Sequence, residues 1–134
     1  MVSNDTADEI QEYLGVVPSW IEALPDAAAD HSWNVVRDLQ LGETDLTRRE
    51  KALVGVGASA AIQCPYCIHF HREEAKLEEV TEAELAEAFA LAGNVRYFST
   101  VLHGVEMDHE EFEAETESIV DHINEQQAQA ADDD

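Results

Sequence analysis

The sequence predicts an all-helical fold in a single domain, and three observations carry that prediction. No segment sustains the apolar–polar alternation that a half-buried strand requires. Apolar residues instead recur at helical spacing between glycine and proline stops. Thr47 with Glu50, and Thr81 with Glu84, have the spacing of a reciprocal capping box at a helix start. At 134 residues the chain is long enough to bury a real core.

Taken in order, Asp5 to Leu14 reads as a short helix, with Ile10, Tyr13 and Leu14 at helical spacing and Gly15 as its stop. Pro18 opens a second short helix that sets Trp20, Ile21 and Leu24 on one side. Pro25 opens a third, running to about Leu41 and ended by Gly42, and both tryptophans, Trp20 and Trp33, read as core anchors. The helix capped by Thr47 runs to about Ile62. It is apolar on every face and rich in small residues, which predicts burial, either in the domain centre or between subunits, and close approach of a neighbouring backbone at Gly55 and Gly57. The next begins near Cys64, with Pro65 suited to its first turn, and continues through Leu77. Thr81 opens a long helix that breaks near Gly104, and Asp108 caps a last one carrying Phe112, Ile119, Val120 and Ile123. The expected domain covers residues 1–126, with 127–134 as a disordered acidic tail.

Charge is the most unusual property. Asp plus Glu number 30 against 7 Lys plus Arg, a net charge of −23 spread along the whole chain. Such self-repulsion is relieved by salt, so a salt-loving source is expected. Nucleic-acid binding is disfavoured, because no basic stripe could neutralise phosphates. The start shows no signal peptide and no apolar run reaches a membrane-spanning length, so the expectation is a cytoplasmic protein with no membrane contact.

Residues 46–72 break this pattern. They hold one acid, Glu50, four of the bases, and both cysteines, as Cys64-Pro65-Tyr66-Cys67 followed by His69 and His71. Two thiols three residues apart in a reducing compartment point to redox or metal chemistry rather than a structural staple. On a regular helix Cys64, Cys67 and His71 fall within about 60° of one another, while His69 falls near the opposite side. A structural zinc site needs four tetrahedral ligands, commonly two pairs. No second pair exists, and His31, His103, His109 and His122 are isolated, so neither a metal nor a cofactor is expected. The geometry suits thiol redox chemistry. A helix N-terminus lowers a thiol pKa, and His71, one turn after Cys67, can accept a proton or pair with a thiolate. Proximity to the helix start favours Cys64 as the more acidic thiol and pairing with His71 favours Cys67; the sequence leaves both open.

The run Arg49-Glu50-Lys51-Ala52-Leu53-Val54, the small-residue helix through Gln63, and the Cys-x-x-Cys-x-x-x-His pattern of Cys64, Cys67 and His71 resemble the AhpD-like, carboxymuconolactone-decarboxylase-like superfamily. The resemblance covers roughly residues 15–120. It implies an AhpD-like helical bundle assembled as a homo-trimer or homo-hexamer. It also implies a thiol-dependent peroxidase or disulfide oxidoreductase that reduces peroxides in antioxidant defence. In that scheme Cys67 attacks the peroxide, Cys64 resolves the sulfenic acid as a disulfide, and His71 relays protons. A dithiol reductant, lipoyl or thioredoxin-like, resets the pair.

The chain departs from the family pattern in one place that matters. Peroxidase-type members often carry a relay glutamate twelve residues before the first cysteine, where this chain has Ala52. Glu50 is the nearby substitute, with a capping-box role as its competing use, and Tyr66 stands where some members have a histidine. The gap weighs more against peroxide turnover than against dithiol exchange. Two other readings compete: a non-catalytic redox-sensing or binding module, and a lactone decarboxylase, disfavoured because the decarboxylases proper generally lack the cysteine pair.

Overall fold

Trp33, fully buried at 0% exposure, anchors the first of two apolar clusters, together with Ile10 and Ile21. The computed structural model describes residues 2–132, and every regular element among them is helical. These elements are α1 (Asn4–Leu14), α2 (Ser19–Glu22), α3 (Asp26–Val35), a π-helical continuation of α3 over Val36–Leu41, α4 (Arg48–Ala61), α5 (Pro65–Leu77), α6 (Glu82–Gly104) and α7 (His109–Asp132). They form two compact units divided between Ala90 and Leu91, within α6.

In the first unit several helix ends have identifiable causes. Ser3 caps α1 by accepting the Thr6 N–H, and Gly15 ends it in the left-handed conformation at φ 75°. Thr47 and Glu50 form the expected capping box on α4. Glu84 accepts from the Thr81 N–H and hydroxyl while the Glu84 N–H bonds back to Thr81, so the second predicted box is also present. The expected third helix is α-helical only to Val35. Its last six residues widen into a π turn, and the Lys51 ammonium on α4 donates to the Leu39 and Gly42 carbonyls at 2.7 and 2.8 Å.

Trp33 is held by its indole N–H donating to Glu9 at 2.7 Å, and Arg37 binds both oxygens of the same carboxylate. The second cluster joins α4, α5 and the start of α6 through Ala52, Val56, Ala75, Val80 and Leu85. Burying side chains the size of Val56 or Leu85 contributes roughly 1.5–3 kcal/mol each, so these two clusters set the frame in which α5 sits on α4.

Two packing expectations need correction. Trp20 is not a core anchor but is 54% exposed, because α2 is a single turn and only Ile21 points inward. The helix α4 is not enclosed on every face by its own chain either: Ala52, Val56 and Ser59 are buried while Val54 is exposed, so of the two expected settings it does not occupy the domain centre.

In the second unit, Asp108 caps α7 by accepting the Glu111 N–H at 2.9 Å. The helix runs to Asp132, past the boundary expected at 126, and the last two residues of the expected tail lie outside the described residues. Leu91, Val95, Phe98 and Val101 on α6, and Phe112, Ile119, Val120 and Ile123 on α7, are exposed. No described helix is long and apolar enough to cross a membrane.

Candidate functional site

The thiol pair sits where two helix ends meet. At the end of α4, Gln63 adopts a left-handed φ of 58°. The Gln63 N–H bonds to the Ala60 carbonyl and the Cys64 N–H to the Ser59 carbonyl, both at 3.1 Å. Those paired bonds are a Schellman motif, with the left-handed position just past the helix cap. Cys64, next in line, is extended and serves as the N-cap of α5, its sulfur accepting the Cys67 N–H at 3.3 Å. Pro65 follows as the first helical residue, where its missing N–H costs nothing. One residue thus closes one helix and opens the next, so Cys64 lies outside the regular helix on which its angular position was reckoned.

The two sulfurs are 2.6 Å apart and both thiols are free. Closing them to a disulfide removes two hydrogens and two electrons and needs little movement of the chain. Cys64 is held below the usual thiol range, first because the Cys67 S–H donates to its sulfur and second because the Cys67 backbone N–H does too. Cys67 is pushed up, first because its hydrogen is committed to Cys64, then by burial and the nearby Cys64 charge. Both shifts favour Cys64 as the more acidic thiol of the pair.

Cys67, His69 and His71 line one cavity of about 740 Å³ with Tyr66, Phe70 and a wall from α2, α3 and the π turn: Trp20, Ile21, Trp33, Val36, Gln40 and Leu41. Cys64 is not part of that lining. His69, expected on the opposite side of α5, reaches this cavity and also a smaller polar hollow with Arg72, Glu73 and Lys76. The cavity is overwhelmingly apolar; Tyr66, Cys67, His69 and His71 bring polar atoms from α5, and Gln40 brings an amide from the π turn.

His71 is 22% exposed and its Nδ1 lies 2.8 Å from an oxygen of Glu74, which is 14% exposed. The other Glu74 oxygen accepts from the Gln40 amide at 3.2 Å. The ring packs on Gly55: a Cβ there would lie 2.5 Å from Cε1 and 2.7 Å from Cγ. The close approach anticipated at Gly55 is therefore that of an imidazole rather than of a backbone. At Gly57 a Cβ would meet only the Ala88 carbonyl at 3.9 Å.

Glu50 is engaged elsewhere. Its carboxylate accepts from the Thr47 N–H and hydroxyl at 2.7 and 2.8 Å, bonds that hold it below the usual carboxylate range, and it is not among the cavity-lining residues. Ala52, at the relay-glutamate position, is fully buried in the second cluster. Glu74 and Gln40 were missed by the sequence reading. Glu74 stands three residues after His71, a helical pairing distance, and was detectable on that ground; Gln40 was not, because only the π turn and tertiary packing bring it near. His103 donates from Nδ1 to the Ser99 carbonyl of its own helix at 2.7 Å and is exposed. Among the described residues no group of three His, Cys, Asp or Glu side chains could hold a metal ion.

An all-helical frame that presents a Cys-x-x-Cys pair at a helix start, with a histidine one turn on, defines a class of protein that comparison identifies. The profile of the carboxymuconolactone decarboxylase family matches residues 22–109, and the chain belongs to that family. A crystal structure of a structural-genomics target from Methanobacterium thermoautotrophicum is 35% identical, with TM-score 0.56, covering 66% of this chain and 97% of that one. The alkylhydroperoxidase AhpD core from Rhodospirillum rubrum shares the fold at TM-score 0.69 and 24% identity, covering 81% of this chain and 83% of that one. A Paracoccus denitrificans protein described as uncharacterized protein 4 in the cox locus is 27% identical over 77 residues, 58% of this chain and 69% of that one.

Proposed function

We propose that the protein is a dithiol oxidoreductase that reduces organic hydroperoxides through Cys67 and Cys64. The observation that carries this reading is the pair itself: two free thiols 2.6 Å apart, one of them on the wall of an apolar cavity beside His71. Once the pair has lost one proton, the remaining proton is shared between the sulfurs. Its shift to Cys64 leaves a thiolate on Cys67, the sulfur that the cavity exposes.

That thiolate attacks the distal peroxide oxygen. An S–O bond forms, the O–O bond breaks, and the leaving alkoxide takes a proton relayed by His71 and departs as an alcohol. Cys67 is then a sulfenic acid. Cys64, deprotonated in turn, attacks its sulfur; the S–S bond forms, the S–O bond breaks, and water leaves. A dithiol donor, lipoyl or thioredoxin-like, returns two electrons. The apolar lining favours a hydroperoxide with a hydrocarbon body over hydrogen peroxide.

A second reading, dithiol–disulfide exchange with no peroxide step, is favoured by Ala52, which leaves the usual relay position without a carboxylate, and by the capping role of Glu50. We also propose a homo-trimer or homo-hexamer, supported by the apolar residues that α6 and α7 leave exposed. The deciding experiment measures reduction of cumene hydroperoxide and of hydrogen peroxide at high salt, with a lipoyl or thioredoxin donor. The expectation is turnover by wild type and none by Cys67→Ser, with a trapped sulfenic acid on Cys67 in Cys64→Ser. Thiols that stay reduced under excess peroxide reject the peroxidase reading. Turnover of a disulfide substrate alone selects the second.

A further inference from the structure

The carboxylate of Glu74 is gripped from two sides. One oxygen meets His71 Nδ1 at 2.8 Å, and the other accepts from the Gln40 amide at 3.2 Å. A carboxylate at that distance accepts a hydrogen, so Nδ1 carries it. In the neutral ring, Nε2 then keeps its lone pair. The Nδ1–Cε1–Cγ part of the ring also lies against Gly55 on α4. Rotation is thus opposed both by a helix backbone and by a hydrogen bond. Gln40 reaches Glu74 from the π turn, which Lys51 ties down at the Leu39 and Gly42 carbonyls.

We propose that Glu74, clamped by Gln40, is a positioning residue that fixes His71 in the Nδ1–H tautomer, leaving Nε2 as the atom that exchanges protons with the thiol pair. The inference rests on the proton-carrying role of His71 proposed above, but its first readout needs no turnover. The groups around His71 leave Glu74 as its charged neighbour. Gly55 faces it from α4 and neutral Gln40 stands behind Glu74 from the π turn, while Cys67, His69 and Tyr66 are the titratable side chains sharing the cavity. For histidines that bind a metal, losing the outer carboxylate costs about 10–100-fold in affinity or activity, and an effect on that scale is expected here.

The test is ¹⁵N imidazole spectroscopy of the full chain in its reduced state above the histidine titration range, with His71 assigned by its loss in His71→Gln. Alongside it runs single-turnover oxidation of the thiols by cumene hydroperoxide. Wild type should show a protonated Nδ1 and a bare Nε2. E74A should shift the ring toward the Nε2–H form that a free histidine favours, and slow oxidation about 10–100-fold. E74Q retains an acceptor oxygen and should keep the wild-type tautomer and most of the rate. An Nε2–H ring in wild type overturns the proposal, and so does an E74A ring and rate equal to wild type. E74Q as slow as E74A, with its ring still Nδ1-protonated, overturns it too, because the role would then be charge. Should E74A lose helicity, Gln40→Ala carries the same comparison, with a smaller shift in the same direction expected and an unchanged ring refuting. If wild type never oxidises, the proposed function fails while the tautomer measurement still stands.

Discussion

Gly55→Ala separates two effects of opposite sign at one atom. In the interior of a helix, alanine is favoured over glycine by about 1 kcal/mol, so a stabilised protein is the ordinary outcome. At Gly55 the new Cβ would stand 2.5 Å from His71 Cε1 and 2.7 Å from Cγ, well inside contact distance. Either the ring swings out, breaking its bond to Glu74, or α5 moves off α4. Overpacking of this kind costs about 1–3 kcal/mol. The net expectation is a loss of up to about 2 kcal/mol, accompanied by slower thiol oxidation because His71 is displaced from the cavity wall that it shares with Cys67.

The assay is chemical denaturation combined with single-turnover thiol oxidation, read as a double-mutant cycle with His71→Ala. Removing the imidazole removes the clash, so on that background Gly55→Ala should stabilise by about 1 kcal/mol. Gly57→Ala is the internal control. Its Cβ would meet one carbonyl at 3.9 Å, and it should stabilise by a similar amount on either background without touching the oxidation rate. Equal stabilisation by Gly55→Ala with and without His71, at an unchanged rate, would refute the packing argument.

Four further outcomes follow from named residues. Glu84, bonded to Thr81 and Arg49, is depressed from an ordinary 4.5 to about 2. Its contribution is therefore present above about pH 4.5 and lost as pH falls toward 2, so the stability gap between wild type and Glu84→Gln should close over that window in acid titrations followed by circular dichroism. Trp33→Ala should cost about 3–5 kcal/mol in denaturant unfolding, since the buried ring leaves a cavity. Trp20→Ala, half-exposed on the cavity wall, should leave stability within about 0.5 kcal/mol and raise the KM for an apolar hydroperoxide. Glu79 ends α5 at a left-handed φ of 55°, so Glu79→Gly should stabilise by about 1 kcal/mol, visible as a Tm rise of a few degrees; no rise would mean that the residue is held there by something other than its cap.

Local signals in the sequence were read correctly because their physics is local. The capping boxes at Thr47 and Thr81, the Gly15 stop, the Pro65 start and the Asp108 cap each involve residues within one turn. What failed was tertiary. Helical spacing puts Trp20 and Trp33 in equivalent roles, yet only the second lies between α1, α2 and the rest of the cluster. Nothing in Val36–Leu41 marks a π turn, because the lysine that holds its end lies twelve residues beyond Leu39. Small residues in α4 signalled a close approach without naming the imidazole that makes it.

The site joins these two kinds of information, and that predicts how it should come apart. The spacing of the sulfurs is set locally, by a Schellman end at Gln63 that hands Cys64 to α5 as its N-cap. The setting of His71 is not local: it needs Gly55 from α4, Glu74 from α5, and Gln40 from a π turn closed by Lys51. Perturbing the tertiary frame at Lys51 or Gln40 should therefore leave a pair that still closes a disulfide when offered a small disulfide reagent, but reacts slowly with peroxide. Perturbing the joint at Gln63 or Pro65 should impair both. A variant at Lys51 that slowed both reactions equally would show that the thiol pair is as dependent on the tertiary frame as its histidine.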